Sequence, residues 1–293
     1  MPINTTRIIR LREEGWPSLG WLAHLTLTKK GAHRYRLTSM KWLGEIEARG
    51  RAAGAGDGAG AGPTDGADVG GGVGGGDVLA RFVPPLDGVT LIAVTSLDGR
   101  AAIDGVSGGL GNPADAALLQ AVRAVSDIVV VGAGTARAEN YGPTAPPTRL
   151  AVLSRSFDVD PAFRLFDDPA SPPILIGGAG APPERRTALA EAGATLVELS
   201  DTAPEQVLAA LRRLGHTRIA LEGGPGVYRE HLRADVVDRA FLTLSPMMVG
   251  DGPATFGSRD ATGASPLPLD FRAEAAAFSD SHLFVRYSRV RAG

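Results

Sequence analysis

Short runs that are almost wholly apolar, each stopping at a turn of glycine, serine or acid, constrain this chain most. Val89–Thr95 ends at Ser96-Leu97-Asp98-Gly99, and Ile128–Val131 (IVVV) at Gly132-Ala133-Gly134-Thr135. Leu150–Leu153 ends at Ser154-Arg155-Ser156, and Arg218–Leu221 at Glu222-Gly223-Gly224-Pro225-Gly226. A strand that is apolar at every position is buried on both faces, as in parallel sheets covered by helices. Further runs at Ile174–Ile176, Thr195–Leu199 and Ala240–Leu244 alternate with helical stretches at Pro183–Ala192 and Pro204–Leu214. Asn112-Pro113 reads as an N-cap followed by proline at the first helical position, opening a helix with Leu118, Val122 and Val125 on one face. The pattern predicts an α/β fold, with helices on both faces of a mostly parallel sheet. No full-length helical segment separates Ala240–Leu244 from the last strand, His282–Ser288, so an antiparallel edge is expected.

Composition divides the chain. All three Lys and all three Trp lie before residue 43, and residues 1–51 hold ten Lys and Arg against four Asp and Glu. Ala52–Gly76 is mostly Gly and Ala, too poor in apolar surface to offset its chain entropy. The expected organisation is a basic, poorly ordered extension at 1–51, a disordered linker at 52–76 and a compact domain at 77–293. The formal net charge of −2 argues against a nucleic-acid binder. The absence of Cys rules out disulfides, cysteine nucleophiles and cysteine-ligated metal, and the five His lack the spacing of a helical zinc site. No apolar run reaches the length of a membrane span, and Pro17 and His24 break the best signal-like stretch, so a cytoplasmic protein is expected.

In open α/β sheets, ligands bind beyond the carboxyl ends of the strands. Four strand ends here carry unusual chemistry, each open to two readings. Glu222–Gly226 is either a phosphate cradle leading into a helix N-terminus or a tight turn. Ser154-Arg155-Ser156 either grips a ribose 2′-phosphate or is an exposed turn with a solvated Arg. Asp98 is either a proton donor or an acceptor of turn N–H groups. Gly132–Thr135 either admits a ligand close to the backbone or merely packs. Arg123 either holds a substrate phosphate or is solvated, and Glu139 either bonds a ribose hydroxyl or is an exposed loop carboxylate. There is no GxxxxGK[ST] and no Gly-x-Ser-x-Gly, which removes a P-loop ATPase and a nucleophile elbow.

In combination these pieces are more specific. SLDGRAA at 96–102, GVSGGLGNPAD at 105–115, VRAVSDIVVVGAGTARAENYGP at 122–143, LEGGPGVYREHL at 221–232 and VDRAFLTLSPMMVGDG at 237–252 occur in that order. Together they resemble the reductase domain of the bifunctional riboflavin-biosynthesis deaminase/reductase, a relative of dihydrofolate reductase, over essentially all of 89–290. The stand-alone versions without the deaminase are the most similar, since the deaminase zinc signature requires cysteines. The resemblance implies a three-layer α/β/α fold, bound NADPH, a homodimer, and reduction of a phosphoribosylamino-pyrimidine. It implies cofactor contacts at Val94, Gly134, Thr135, Glu139 and Arg155, and along Gly223, Gly224, Pro225, Gly226, Val227 and Tyr228. It implies substrate contacts at Ser107, Arg123 and Glu222. Asp98, Glu139 and Glu222 are the candidate acids for the proton that accompanies hydride transfer. The chain departs from the family in two places. Pro143, Pro146 and Pro147, with Arg149 near, occupy the loop where a second phosphate-gripping Arg is common. Gly108-Gly109-Leu110-Gly111 replaces larger residues, often an aromatic, that line the pocket. A reductase of a dihydropterin or another heterocycle, and a non-catalytic nucleotide-binding module, are the competing readings.

Overall fold

The IVVV run at 128–131 has no solvent-exposed surface, and the architecture is arranged around burying it. Each such side chain contributes about 1.5–3 kcal/mol of burial free energy. The structure, a computed structural model, describes residues 27–29, 35–37, 41–45, 75–85, 87–257 and 268–291. In chain order the elements are β1 (Leu27–Lys29), β2 (Tyr35–Leu37), β3 (Lys41–Glu45), α1 (Gly75–Phe82), β4 (Gly88–Thr95), α2 (Pro113–Ala124), β5 (Ile128–Gly132), α3 (Ala133–Ala138) and β6 (Arg149–Leu153). There follow β7 (Ile174–Gly178), α4 (Pro183–Glu191), β8 (Thr195–Leu199), α5 (Pro204–Arg213), β9 (Arg218–Gly223), α6 (Pro225–Arg233), β10 (Arg239–Leu244), β11 (Phe271–Ser279) and β12 (His282–Arg289).

Ten strands form one sheet in the order β3-β11-β12-β10-β4-β9-β5-β6-β7-β8. All pairings from β10 to β8 are parallel, while β10–β12, β12–β11 and β11–β3 are antiparallel. Two apolar clusters cover the two faces. One holds Phe82 of α1, Leu118 and Val122 of α2, Ala136 of α3 and Leu189 of α4. The other holds Val207, Leu208 and Leu211 of α5 and Tyr228 of α6. The expected three-layer α/β/α arrangement with a mixed, mostly parallel sheet is therefore the one observed, as is the antiparallel edge. The predicted cap is also present: Asn112 Oδ1 accepts the Asp115 amide at 2.9 Å, with Pro113 opening α2.

Several elements go beyond the sequence reading. Gly132–Thr135, read there as a turn, continues into the short helix α3. β11 was not anticipated, because FRAEAAAFS is rich in Ala, a residue depleted in strands; the hairpin with β12 holds it. Within 1–51, β1 and β2 pair with each other and β3 adds to the sheet edge at β11. The linker at 52–76 lies outside the described residues apart from Gly75 and Gly76, which open α1.

The return of the chain through β9 decides where a site can form. β4 leads on to β5, yet the two do not pair; β9, arriving about 120 residues later, lies between them. Asp127, just before β5, locks that insertion. Its carboxylate accepts the amides of Thr217 and Arg218, each at 2.9 Å, and the Arg218 guanidinium at 3.0 and 2.5 Å. Burial pushes the Asp127 pKa up, but the Arg218 bonds and the two amides outweigh it and bring it down to about 2. Asp127→Asn is therefore expected to cost about 1.5–3 kcal/mol at neutral pH, read from urea unfolding. A depressed folded-state pKa gives stability that is full above the ordinary Asp value of about 3.9 and is lost as the pH falls. Wild type and variant should thus converge in stability near pH 2.

Candidate active site

The carboxyl ends of β4, β5, β6 and β9 share one edge of the sheet, and two adjoining cavities open there. The first, about 190 Å³, is bounded by Val94, Ser107, Thr135, Glu139, Glu222 and Tyr228, with Asp115, Gly134, Tyr141, Gly224 and Pro225 among its other walls. The second, about 280 Å³, is bounded by Gly132, Ser154, Arg155, Gly226, Val227 and Glu230. Gly134 lines both. Together they form a two-ended trough across the strand ends.

The floor between them is shaped by glycines. A Cβ on Gly224 would fall 2.3 Å from Thr135 Oγ1, which accepts the Gly224 amide at 3.0 Å. Gly134 and Gly226, by contrast, face open space, so backbone there is accessible to a ligand. α6 begins at Pro225, and the first N–H groups of a helix have no intrahelical acceptor. This suits a diphosphate laid along the trough. Gly223 behaves differently from the expectation. It lines neither cavity; it has φ +90° and an added Cβ would lie 2.3 Å from the Tyr228 ring. Its role is to let Tyr228 pack beneath the turn, where the Tyr228 hydroxyl donates to the Ile92 carbonyl at 2.5 Å. The Gly223–Gly224 peptide is cis.

Glu222 is 7% exposed and accepts three hydrogen bonds. Arg123 Nε and Nη2 donate to its two oxygens, each at 2.6 Å, and the Tyr141 hydroxyl donates to Oε2 at 2.8 Å. The Arg123 guanidinium also lies 5.5 Å from the Tyr141 ring centroid. Burial works against the charge on Arg123, but the Glu222 carboxylate overrides it and raises the pKa; burial and the Glu222 charge push the Tyr141 hydroxyl up as well. Arg123 is therefore held by Glu222, itself a cavity wall, and is not among the residues that line the cavity. Its helix position pointed to the right neighbourhood, but the sequence did not reveal that a buried carboxylate would claim it.

Asp98 is corrected. It lies outside the cavity, exposed, and accepts from Ser96 Oγ at 2.6 Å and from the amides of Val249 and Gly250 at 3.0 and 2.7 Å. The Ser96 hydroxyl and these amides hold its carboxyl well below the usual range, so at neutral pH it clamps two loops rather than donating a proton. Glu139 does line the cavity, and its Oε1 accepts the Ser107 amide at 2.5 Å, bringing two predicted residues together. Arg155, 75% exposed, pairs with Glu230 beside the second cavity. Ser154 Oγ is used within the turn, accepting the Asp158 amide at 2.9 Å. Arg149 opens β6 and donates to the Pro172 carbonyl, away from the cavity. Among the wall residues that the sequence did not single out, Tyr141 lies inside the quoted ENYGP stretch and Asp115 inside NPAD.

Comparison with known proteins bears on this geometry directly. The family model for the RibD C-terminal domain matches residues 88–273. The chain belongs to the RibD C-terminal domain family. Riboflavin biosynthesis protein RibD of Mycobacterium tuberculosis is 32% identical over 175 residues, which are 58% of this chain and 45% of that protein. The chain thus spans less than half the length of that relative. The 2,5-diamino-6-ribosylamino-4(3H)-pyrimidinone 5′-phosphate reductase of Methanothermobacter thermautotrophicus is 30% identical over 178 residues, covering 55% of this chain and 79% of that protein. Among solved structures, a pyrimidine reductase-like protein of Corynebacterium diphtheriae aligns with TM-score 0.63 and 30% identity, over 73% of this chain and 95% of that one. A Thermotoga maritima deaminase/reductase aligns with TM-score 0.57 at 24% identity, over 70% of this chain and 57% of that one, a likeness of fold. The RibD-family match begins at β4 and ends in β11, so it encloses both cavities.

Removing one partner of a buried ion pair strands the other charge. Arg123→Ala is expected to destabilise the protein by about 3–5 kcal/mol, with much of the loss recovered in the Arg123→Ala, Glu222→Gln double variant. Urea unfolding of both variants provides the check.

Proposed function

We propose that the protein is an NADPH-dependent reductase that delivers a hydride to a phosphoribosylamino-pyrimidine, the reaction class in the name of its Methanothermobacter relative. The observation that carries the reading is the two-ended trough meeting at Gly134, with backbone-accessible glycines at its centre, Asp115, Glu139 and Glu222 at one end and the Arg155–Glu230 pair at the other. A nicotinamide dinucleotide suits this shape. Its diphosphate would be held by the first turn of α6 and by backbone at Gly134 and Gly226, and its nicotinamide by the Val94, Thr135 and Gly224 walls. Its adenosine end would lie by Val227 and Arg155. When bound, it supplies the hydride; the chain orients the reactants and excludes water. Glu139 holds the Ser107 loop with one oxygen and has a second oxygen for a ribose hydroxyl. Glu222, fixed by three donors, presents a rigid polar wall.

The reading includes a cytoplasmic homodimer. Leu97, Met247 and Met248 stand exposed near the loops that Asp98 clamps, apolar surface that a second copy would cover. No described helix is long and apolar enough to cross a membrane.

One observation favours a second reading, a reductase of an unphosphorylated heterocycle such as a dihydropterin. Among the described residues no Arg, Lys or His lines the first cavity, and Arg123 is taken by Glu222. Oxidation of NADPH measured with the phosphoribosylamino-pyrimidine, its dephosphorylated form and a dihydropterin separates the readings. Turnover with none of them leaves a nucleotide-binding module.

Cofactor choice is the sharper test. A 2′-phosphate must take Arg155 from Glu230. Arg155→Ala should weaken NADPH about tenfold to a hundredfold, the worth of one charge-assisted bond at about 1.5–3 kcal/mol, and leave NADH nearly unchanged. Glu230→Gln should act in the opposite direction on NADPH alone. Dissociation constants from fluorescence titration decide this; equal effects on both cofactors would move the specificity elsewhere.

A further inference from the structure

We propose that Asp115 is the catalytic acid of the first cavity, handing a proton to the substrate atom next to the carbon that receives the hydride. The proposal rests on the reductase reading above. It goes beyond that reading by naming a residue outside the three acid candidates drawn from the sequence.

The carboxylates of the first cavity differ in what already binds them. Glu222 accepts from Arg123 on both oxygens and from Tyr141 on Oε2, which holds it in its charged form. Glu139 is spent in part on the Ser107 amide. Asp115 lines the same cavity, yet among the described residues no cation and no N–H group bonds its carboxyl. Its own amide is held by Asn112 Oδ1, which fixes the first turn of α2 and with it the direction of the side chain. The carboxyl folds back over Gly111, where a Cβ would lie 2.6 Å from Oδ2. The glycine run that replaces the family's larger residues thus makes room for this acid.

The surroundings of Asp115 are desolvating and mostly neutral. Thr243 on β10 is fully buried beside it, with its hydroxyl acting on the Asp115 carboxyl. Asn112 Nδ2 donates to the Ser279 carbonyl at 3.0 Å; His282 Nδ1 lies 3.1 Å from Asn112 Nδ2 and 3.0 Å from the Asp280 carbonyl, and His282 Nε2 lies 3.0 Å from the Leu110 carbonyl. Burial raises the proton affinity of Asp115, against the smaller opposing effects of Thr243 and His282. The other titratable groups around it are Tyr228 of α6, on which the Asp115 charge acts, and Glu139 and Glu222 across the cavity. An acid kept protonated near its working pH is what proton donation requires.

A hydride, carrying two electrons, forms a C–H bond at the carbon of a C=N or C=O group. The π pair moves to the nitrogen or oxygen, and the Asp115 O–H breaks as the new N–H or O–H forms. The carboxylate left behind takes its next proton from solvent.

Two measurements on the full chain test this. In protein labelled with carboxyl-¹³C aspartate, the Asp115 resonance is assigned by its loss in Asp115→Asn. It should titrate above the ordinary Asp range and move when NADP⁺ and 2,5-diamino-6-ribosylamino-4(3H)-pyrimidinone 5′-phosphate bind together; a resonance that ignores both ligands overturns the proposal. In turnover, Asp115→Asn should lose about 10²–10⁴-fold in kcat with NADPH affinity within twofold. It should also lose the fall in kcat that wild type shows as the pH rises through the Asp115 pKa. Asp115→Glu, which keeps a carboxyl, should retain that fall at a reduced rate. Turnover that survives Asp115→Asn, or a pH dependence that disappears in Glu139→Gln instead, overturns this step alone. A wild type that oxidises no NADPH overturns the reductase reading, and this step with it.

Discussion

A carboxylate at the end of a central strand has to be compensated where it stands, and the rest of the site follows from how Glu222 is compensated. β9 carries it between β4 and β5, out of reach of bulk water. Its two oxygens then draw in Arg123 from α2 and Tyr141 from the segment after α3. Two segments close in sequence and a strand 81 to 99 residues later are pinned to one point, and the cavity is the space they leave. In a low-dielectric setting such a pair contributes more to defining geometry than to net stability.

The frame of this fold was legible because its signals are local. IVVV at 128–131 could only be a strand buried on both faces, and Asn112-Pro113 carries its own cap and start. What escaped was decided at a distance. Ala-rich β11 is a strand because β12 pairs with it, and GAGT runs into α3 because Ala136 finds a core on the sheet face. Arg123 looked like a free cation until a strand about a hundred residues later brought its partner. Asp98 looked like an acid until the loop at 247–252 supplied two amides to it. Tyr141 and Asp115 lay within stretches already quoted, but nothing in their immediate neighbours distinguishes a cavity wall from a surface turn.

The two cavities differ in the kind of order they offer. The first is walled by groups whose hydrogen bonds are internal and short, so a ligand entering it meets preorganised dipoles. The second is bordered by the exposed Arg155–Glu230 pair, a contact that solvent screens and that a competing anion can open. Discrimination at the first end therefore comes from shape and hydrogen-bond satisfaction, and at the second from charge exchange sensitive to ionic strength.

The late insertion of β9 also has a consequence for the chain during synthesis. β4, β5, β6, β7 and β8 are all made before the strand that must lie between the first two, and β10 comes later still. Until β9 arrives, β4 and β5 have no shared partner and Arg123 faces no carboxylate. Contacts of such long sequence separation form slowly, with apolar edges open in the meantime. A nascent chain that ends before residue 218 has β4 to β8 but lacks β9 and the turn into α6, and with them the floor of the trough. No ligand of the finished site can stabilise it, and its open β4 and β5 edges are the surfaces a chaperone would have to cover.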